Sequence, residues 1–242
     1  MHMKKQQKTF WIILISAVVL ILAAIIVYFS SYSYSVRAKR ILEQTGTSGG
    51  LIVHLGCENG KLTAAFHAND RYLVHGLTKD IKKVRKVRNY LHEKDLYGKV
   101  TVEHWDGKNL PYTSNLVNLL VAEETLNVSR NELMRVLSPN GIAYIKENGK
   151  WRKEKKRKPE NTDEWTHHLH GPTNNAVARD RKVRPPRTLQ WKGKPLFSRS
   201  HELIPSIRAL VSANGRIFYI IDEAPPGVKD PRVASRWKLI AR

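Results

Sequence analysis

The sequence predicts an α/β chain in three parts: an N-terminal transmembrane helix, a doubly wound parallel domain and a short all-β segment. Three observations carry that prediction. Residues 10–29 form an unbroken run of apolar and small side chains, about the length that spans a bilayer. From about residue 36 to 148, apolar stretches of strand length alternate with helical periodicity, the pattern of a parallel sheet with crossover helices. Beyond residue 160, strand-like runs flank an Asn214-Gly215 pair, a strong hairpin signal. The resulting division is a tail over 1–9, an anchor over 10–31, the α/β domain over 36–148, a basic linker over 149–162 and the all-β segment over 163–242.

Lys4, Lys5 and Lys8 precede the apolar run, and Trp11, Tyr28 and Phe29 stand at its ends, where interfacial aromatics belong. A cleaved signal peptide would carry a shorter apolar region and small residues at its cleavage site. The run therefore reads as a single-pass, uncleaved anchor. Arg37, Lys39 and Arg40 follow it, so the basic residues on the two sides nearly balance. A short tail ahead of a first apolar segment usually stays inside, which puts the rest of the chain on the extracytoplasmic side. The formal net charge is +21. Such a balance favours anionic partners in general, but on the basic face of the helix opened by Asp80, which carries Lys82, Lys83, Arg85, Lys86 and Arg88, no aromatics alternate with the charges as a nucleic-acid surface would require. The single Cys57 excludes an intramolecular disulfide framework and Cys-rich zinc modules.

Val36 to Gln44 is helical in pattern and leads into the domain. Leu51–Leu55 is the first strand, and Lys61–Phe66 a helix with Leu62, Ala65 and Phe66 on one face. Arg71–Leu77 is the second strand. Asp80 opens a helix with an apolar stripe of Ile81, Val84, Val87 and Leu91. Lys99–Glu103 alternates as a strand, and Leu116–Val121 is a near-continuous apolar run interrupted by Asn118, as for a strand covered on both faces. Ser129 and Glu132 have capping-box spacing ahead of a helix through Leu137. Ser138–Gly141 reads as a turn, and Ile142–Lys146 as the next strand.

In such a sheet, ligands bind outside the carboxyl ends of the strands. Segments 56–60, 76–79, 104–107 and 121–124 fall on that edge. Gly56-Cys57-Glu58-Asn59-Gly60 joins the first strand to a helix, a turn that brings backbone N–H groups close to a ligand.

Several blocks taken together resemble class I S-adenosylmethionine-dependent methyltransferases. They are Val53-His54-Leu55-Gly56-Cys57-Glu58-Asn59-Gly60, Val74-His75-Gly76-Leu77-Thr78, Trp105-Asp106-Gly107 with Leu110-Pro111, Asn115–Val121, and Met134–Gly141. The resemblance covers about residues 40–148. It implies a Rossmann-like methyltransferase domain and S-adenosylmethionine as cofactor, held by Gly56, Glu58, Gly60, Thr78 and Asp106. The sequence departs from the family pattern at three points. His54 stands in place of an acid, Glu58 in place of the turn's middle glycine, and Thr78 in place of the acid that holds the ribose. A Thr hydroxyl cannot accept from two ribose hydroxyls as a carboxylate does, unless a loop shift brings Asp80 into its place. The usual final strand hairpin is replaced by the basic run Lys150–Pro159. The catalytic residue is unknown: His54 and His104 lie near the edge, but methyl transfer relies largely on alignment.

Asp163-Glu164-Trp165-Thr166-His167-His168-Leu169-His170 invites a metal reading, but a loop held by hydrogen bonds with Trp165 buried fits better, because no second ligand cluster has a familiar spacing. No metal is assigned. Asp163–His167, Asn174–Ala178, Trp191, Ser198–Glu202 and Gly215–Ile220 resemble the opening of a pyrroloquinoline-quinone-type β-propeller in large bacterial proteins. The chain holds about one incomplete blade, so no quinone is assigned.

The functional expectation is a membrane-anchored methyltransferase-like protein with a degenerate cofactor site, presenting the propeller-like segment to a protein partner. One alternative is an active methyltransferase on a small-molecule or lipid acceptor. The other is a basic nucleic-acid binder. The acceptor and the oligomeric state are not legible in the sequence.

Overall fold

The computed structural model describes residues 32–123, 127–182, 207–225, 227, 230 and 232–241, together with the single positions 14, 19 and 21. The expected anchor over 10–31 falls outside the described residues apart from those three positions. Among the described residues, no helix is long and apolar enough to cross a membrane. Leu189–Trp191 and Ser198–Glu202 also lie outside them. The chain divides into two units, Met1–Lys156 and Arg157–Arg242.

The first unit is a doubly wound, Rossmann-like α/β fold. Its strands are β1 (Gly50–Leu55), β2 (Tyr72–Thr78), β3 (Val100–His104), β4 (Val117–Ala122), β5 (Leu137–Glu147) and β6 (Lys150–Lys155). They form one sheet in the order β3-β2-β1-β4-β5-β6. The first five are parallel, and β6 runs antiparallel to β5. The helices are α1 (residues 32–45), α2 (Lys61–Ala65), α3 (Ile81–Glu93) and α4 (Arg130–Val136). Strand side chains alternate between two cores. Ile52, Val74, Leu119 and Tyr144 pack with α1, α2 and α3. Val53, Leu77, Leu120 and Ala143 pack with α4 and the segment around Trp105 and Leu110.

Several expectations need correction. Ile81 is 64% exposed, while Val84, Val87 and Leu91 are buried. Ile81 is the first residue of α3, three residues past the end of β2 and one turn before the helix is covered. The capping box is half made. Ser129 accepts from the N–H of Glu132 at 3.2 Å, but Glu132 Oε1 accepts from the N–H of Leu110 at 2.8 Å instead of returning to the cap. The helix ends at Val136, and Ser138–Gly141 is an irregularity inside β5 rather than a separate turn. Pairing jumps from Val117↔Leu137 to Leu119↔Ile142, and Asn140 takes a φ of 65°.

The largest correction concerns the basic linker. Lys150–Lys155 is strand β6, and the unit runs on to Lys156. One strand, β6, thus follows β5 as an antiparallel hairpin where the sequence reading placed only a linker. Trp151 stacks on Tyr144 with ring centroids 4.5 Å apart and planes at 5°. Arg152 forks onto Glu147 at 2.8 and 2.9 Å. Charged side chains suit an edge strand because they face water and block further pairing.

The second unit contains β7 (Ile207–Ala213), β8 (Arg216–Asp222) and β9 (Trp237–Ala241), an antiparallel sheet in that order. The hairpin turn takes φ of 52° at Asn214 and 73° at Gly215, both positive as a type I′ turn requires. Tyr219, Ile221 and Ala224 are buried, and buried Asp222 accepts from the N–H groups of Ala224 and Arg236. The segment around Trp165 exchanges two hydrogen bonds with Ser212 of β7. Trp165 itself is only half-buried.

Candidate functional site

The strand order puts the predicted site residues side by side. Gly56–Gly60 follows β1, Thr78 ends β2, and Asp106 follows β3, all at the carboxyl edge. The side chains there are committed to one another in ways the sequence did not reveal.

The two turn glycines do different work. Gly56 has φ 80° and donates to Leu77 O at 2.8 Å. A Cβ there would meet nothing within 4 Å. Gly60, at the start of α2, has φ 73°, and a Cβ would stand 2.4 Å from Val87 Cγ1 of α3. Gly60 is thus required by helix packing as well as by backbone conformation. Between them, Cys57 is buried against Gly76 of β2, where a Cβ would come 2.9 Å from its sulfur. Burial pushes the thiol pKa up to about 12, so it is not a nucleophile near neutral pH. Glu58 is ion-paired with Lys83 of α3, its side chain 63% exposed. Asn59 accepts from the N–H of Lys61 and donates to the Tyr34 hydroxyl of α1.

At the end of β2, Thr78 is buried and its hydroxyl accepts from the N–H of Asp80 at 3.3 Å. Asp80 caps α3, its carboxylate accepting from the N–H of Lys82 at 2.9 Å. The pairing Thr78↔His104 holds β2 in register to its last residue. The loop shift that would let Asp80 take the place of Thr78 does not occur. Asp106 is exposed and accepts from the N–H of Lys108 at 2.9 Å. Beside it, the aliphatic end of Lys79 lies against Gly107, where a Cβ would come 2.3 Å from Lys79 Cε. Its ammonium stands 5.7 Å from the Trp105 ring centroid.

His54 is 3% exposed. Its Nδ1 lies 2.8 Å from Thr63 Oγ1, while its Nε2 has no hydrogen-bond partner. Burial, with a smaller effect of Arg37, lowers its pKa to about 4. His104 is exposed at the end of β3.

Three arrangements at or beneath this edge escaped the sequence reading. Arg37 of α1 is ion-paired with Glu123, the residue after β4. Tyr112 Oη lies 2.8 Å from His75 Nδ1, and burial raises the phenol pKa and lowers that of the imidazole. Arg135 donates to Tyr112 O and Leu110 O while pairing with Glu132, so α4 fixes the segment after β3. The acid directly after β4 was a readable signal for the first. The other two, the local Arg135–Glu132 pair aside, join residues 23–37 positions apart.

In the second unit, His167 and His170 pair through their backbones, so they do not share a helix face. Asp163 Oδ2 lies 2.7 Å from His170 Nε2 and accepts from the N–H of Arg179. The N–H groups of Arg179 and Glu164, with His170, hold the Asp163 pKa down at about 2. Among the described residues, no group of three or more His, Cys, Asp or Glu could hold a metal ion.

No protein-family model matches the chain, and no curated protein matches it. Solved structures do. A protein from Methanococcus maripaludis assigned as an S-adenosyl-L-methionine-dependent methyltransferase is similar at 19% identity and TM-score 0.43, over 46% of this chain and 54% of that one. The cyclase SpnF is similar at 24% identity and TM-score 0.42, over 46% and 43%. Geranyl diphosphate methyltransferase in complex with SAM is similar at 19% and 0.42, over 46% and 48%. The chain thus spans about half the length of the structures it matches.

Proposed function

We propose that the chain is a membrane-anchored, methyltransferase-like scaffold whose carboxyl edge no longer holds S-adenosylmethionine, and whose all-β unit is an interaction module. One observation carries the reading: the position that should present a carboxylate to the ribose holds Thr78, and the nearest replacement, Asp80, is spent on capping α3. The edge does not fit the cofactor at two further points. Glu58 brings a charge and a Cβ to the turn and is drawn to Lys83. Lys79 lies across Gly107, beside Asp106. A hydrogen bond to a charged group contributes about 1.5–3 kcal/mol, so losing just one of the two ribose bonds lowers affinity by about 10–150-fold.

The anchor rests on the apolar run over 10–29, and the extracytoplasmic placement on the short tail ahead of it. The interaction module rests on the exposed apolar side chains of the small sheet. Ile220 and Leu239 face each other across β8 and β9, and both are exposed. The resemblance of residues 163–242 to a first propeller blade is part of the same reading. The alternative, an active methyltransferase, draws its support from the open space above Gly56.

Calorimetric titration of S-adenosylmethionine into the full chain in detergent micelles tests the proposal. The natural chain should give no binding heat. The variant carrying Thr78→Asp and Glu58→Gly should bind. Micromolar binding by the natural chain would overturn the scaffold reading and make the enzyme reading the leading one.

A further inference from the structure

The start of α1 lies at the carboxyl edge of the sheet. The Tyr34 hydroxyl, in its first turn, accepts from Asn59 Nδ2 at 3.2 Å, and Arg37, one turn on, is ion-paired with Glu123 after β4. Glu58, beside Asn59, is ion-paired with Lys83 in the first turn of α3. The start of α1, the glycine turn and the start of α3 are therefore neighbours. Along α3, Val84, Val87 and Leu91 are buried. Lys82, Arg85 and Lys86 lie three and four positions apart and so share a side of the helix. All three are exposed and form no ion pair among the described residues. Ile81, 64% exposed, stands one turn before Arg85. The helix carries no carboxylate before Glu93, and the carboxylate of its cap, Asp80, is turned to the N–H of Lys82. Asp106, exposed after β3, has Lys79 and Lys108 beside it, and Glu103 faces His75.

We propose that the first two turns of α3 lie against an anionic bilayer surface, with Lys82, Arg85 and Lys86 on lipid phosphates and Ile81 in the interfacial layer. The inference rests on the anchor reading. Tyr34 is five residues beyond Phe29, the end of the apolar run. That distance is about 8 Å as helix and at most about 18 Å extended. The headgroup layer is about 5–8 Å thick on each side. The anchor thus holds the carboxyl edge, rather than the amino edge, within reach of that layer. Cations beside an exposed apolar side chain suit such a surface: the charged groups bond phosphate oxygens while the isoleucine leaves water. The tether also favours lipid over a soluble polyanion, because it keeps the lipid at a high effective concentration beside the face. In this arrangement the edge that carries Gly56–Gly60 is turned toward the bilayer.

The test uses the full chain reconstituted in bilayer discs of phosphatidylcholine alone or mixed equally with phosphatidylglycerol. Acetylation of lysines by a water-soluble reagent is followed by mass spectrometry. Lys82 and Lys86 should react at least about fivefold more slowly in the anionic discs. Lys94, at the far end of α3, and Lys155, on β6, are both exposed and should react alike in the two. Ile81→Ser with Arg85→Gln should cut the difference at Lys82 and Lys86 to less than about twofold. Lys94→Gln with Lys155→Gln removes more charge, at the amino edge, and should leave it intact. Equal rates at Lys82 and Lys86 in the two discs, equal slowing of Lys94 and Lys155, or equal loss in the amino-edge variant would overturn the proposal. If the discs give equal rates but duplex DNA added to the neutral ones slows Lys82 and Lys86, the face binds nucleic acid instead. Retention of the chain on neutral vesicles at alkaline pH reads the anchor separately. Release there overturns the anchor, whereas retention with equal acetylation rates overturns only the docking of α3.

Discussion

His54 Nδ1 lies 2.8 Å from Thr63 Oγ1, and both side chains are buried between β1 and α2. This pair occupies the place where the sequence pattern calls for an acid. It holds a neutral imidazole in the core, with a pKa of about 4.

The pH dependence follows from that value. An unfolded His binds a proton near pH 6.5, while folded His54 resists one until about pH 4. Between those values the unfolded chain binds more protons, so stability falls as pH drops. His54 should account for about 3 kcal/mol of that loss, at 1.36 kcal/mol per unit. The contribution is fully present above pH 6.5. His54→Leu should flatten the stability profile between pH 6.5 and 4 in denaturant titrations. Some slope should remain from His75, which burial also shifts down. An unchanged slope would mean that His54 is protonated in the native state.

The two turn glycines should respond differently to alanine. Gly56→Ala adds a Cβ into open space and should cost only the left-handed conformation, about 1–2 kcal/mol. Gly60→Ala adds the same strain and drives a methyl into Val87. Overpacking contributes about 1–3 kcal/mol more, so Gly60→Ala should be the more destabilising in thermal or urea unfolding. Equal losses would show that Val87 moves aside freely.

Arg135 ties α4 to the segment after β3 through Tyr112 O, Leu110 O and a two-point pair with Glu132. Lysine keeps the charge but not the planar fork. Arg135→Lys should therefore cost about 1.5–3 kcal/mol and speed amide exchange over residues 109–112. If lysine proves as good as arginine, the charge rather than the fork holds that segment.

The stack of Trp151 on Tyr144 should be what keeps β6 on the sheet. Trp151→Ser should remove about 0.5–1.5 kcal/mol of aromatic pairing beyond the lost burial. Exchange should rise over 150–155 and 142–147 while β1 and β2 stay protected. Uniform exposure across the sheet would make β6 part of the central folding unit instead.

The parallel strands and their helices were legible because each one carries its own period. Val117–Ala122 is apolar at every position but Asn118, and α3 repeats Val84, Val87 and Leu91 on one stripe. Strand β6 was not legible. Its residues are charged at nearly every position, and it is a strand only because β5 offers a free edge and Tyr144 a ring to stack on. The Ser138–Gly141 segment carried the composition of a turn, yet β4 draws it into the sheet as an irregularity. At the candidate site, the sequence located the edge and the departures at His54, Glu58 and Thr78. The fates of Asp80, Lys79 and Lys83 depended on which neighbour each side chain met.

By itself, the sequence determined the order of strands and helices, the glycine turn and the edge on which a ligand site would lie, because periodicity and turn chemistry are local properties. Only the tertiary structure decided that Asp80 caps α3, that Lys79 covers Gly107, and that Arg135 ties α4 to the segment after β3. Those relationships join residues brought together by the strand order and helix packing, and a side chain's choice among hydrogen-bond or ion-pair partners is made only once they are within reach.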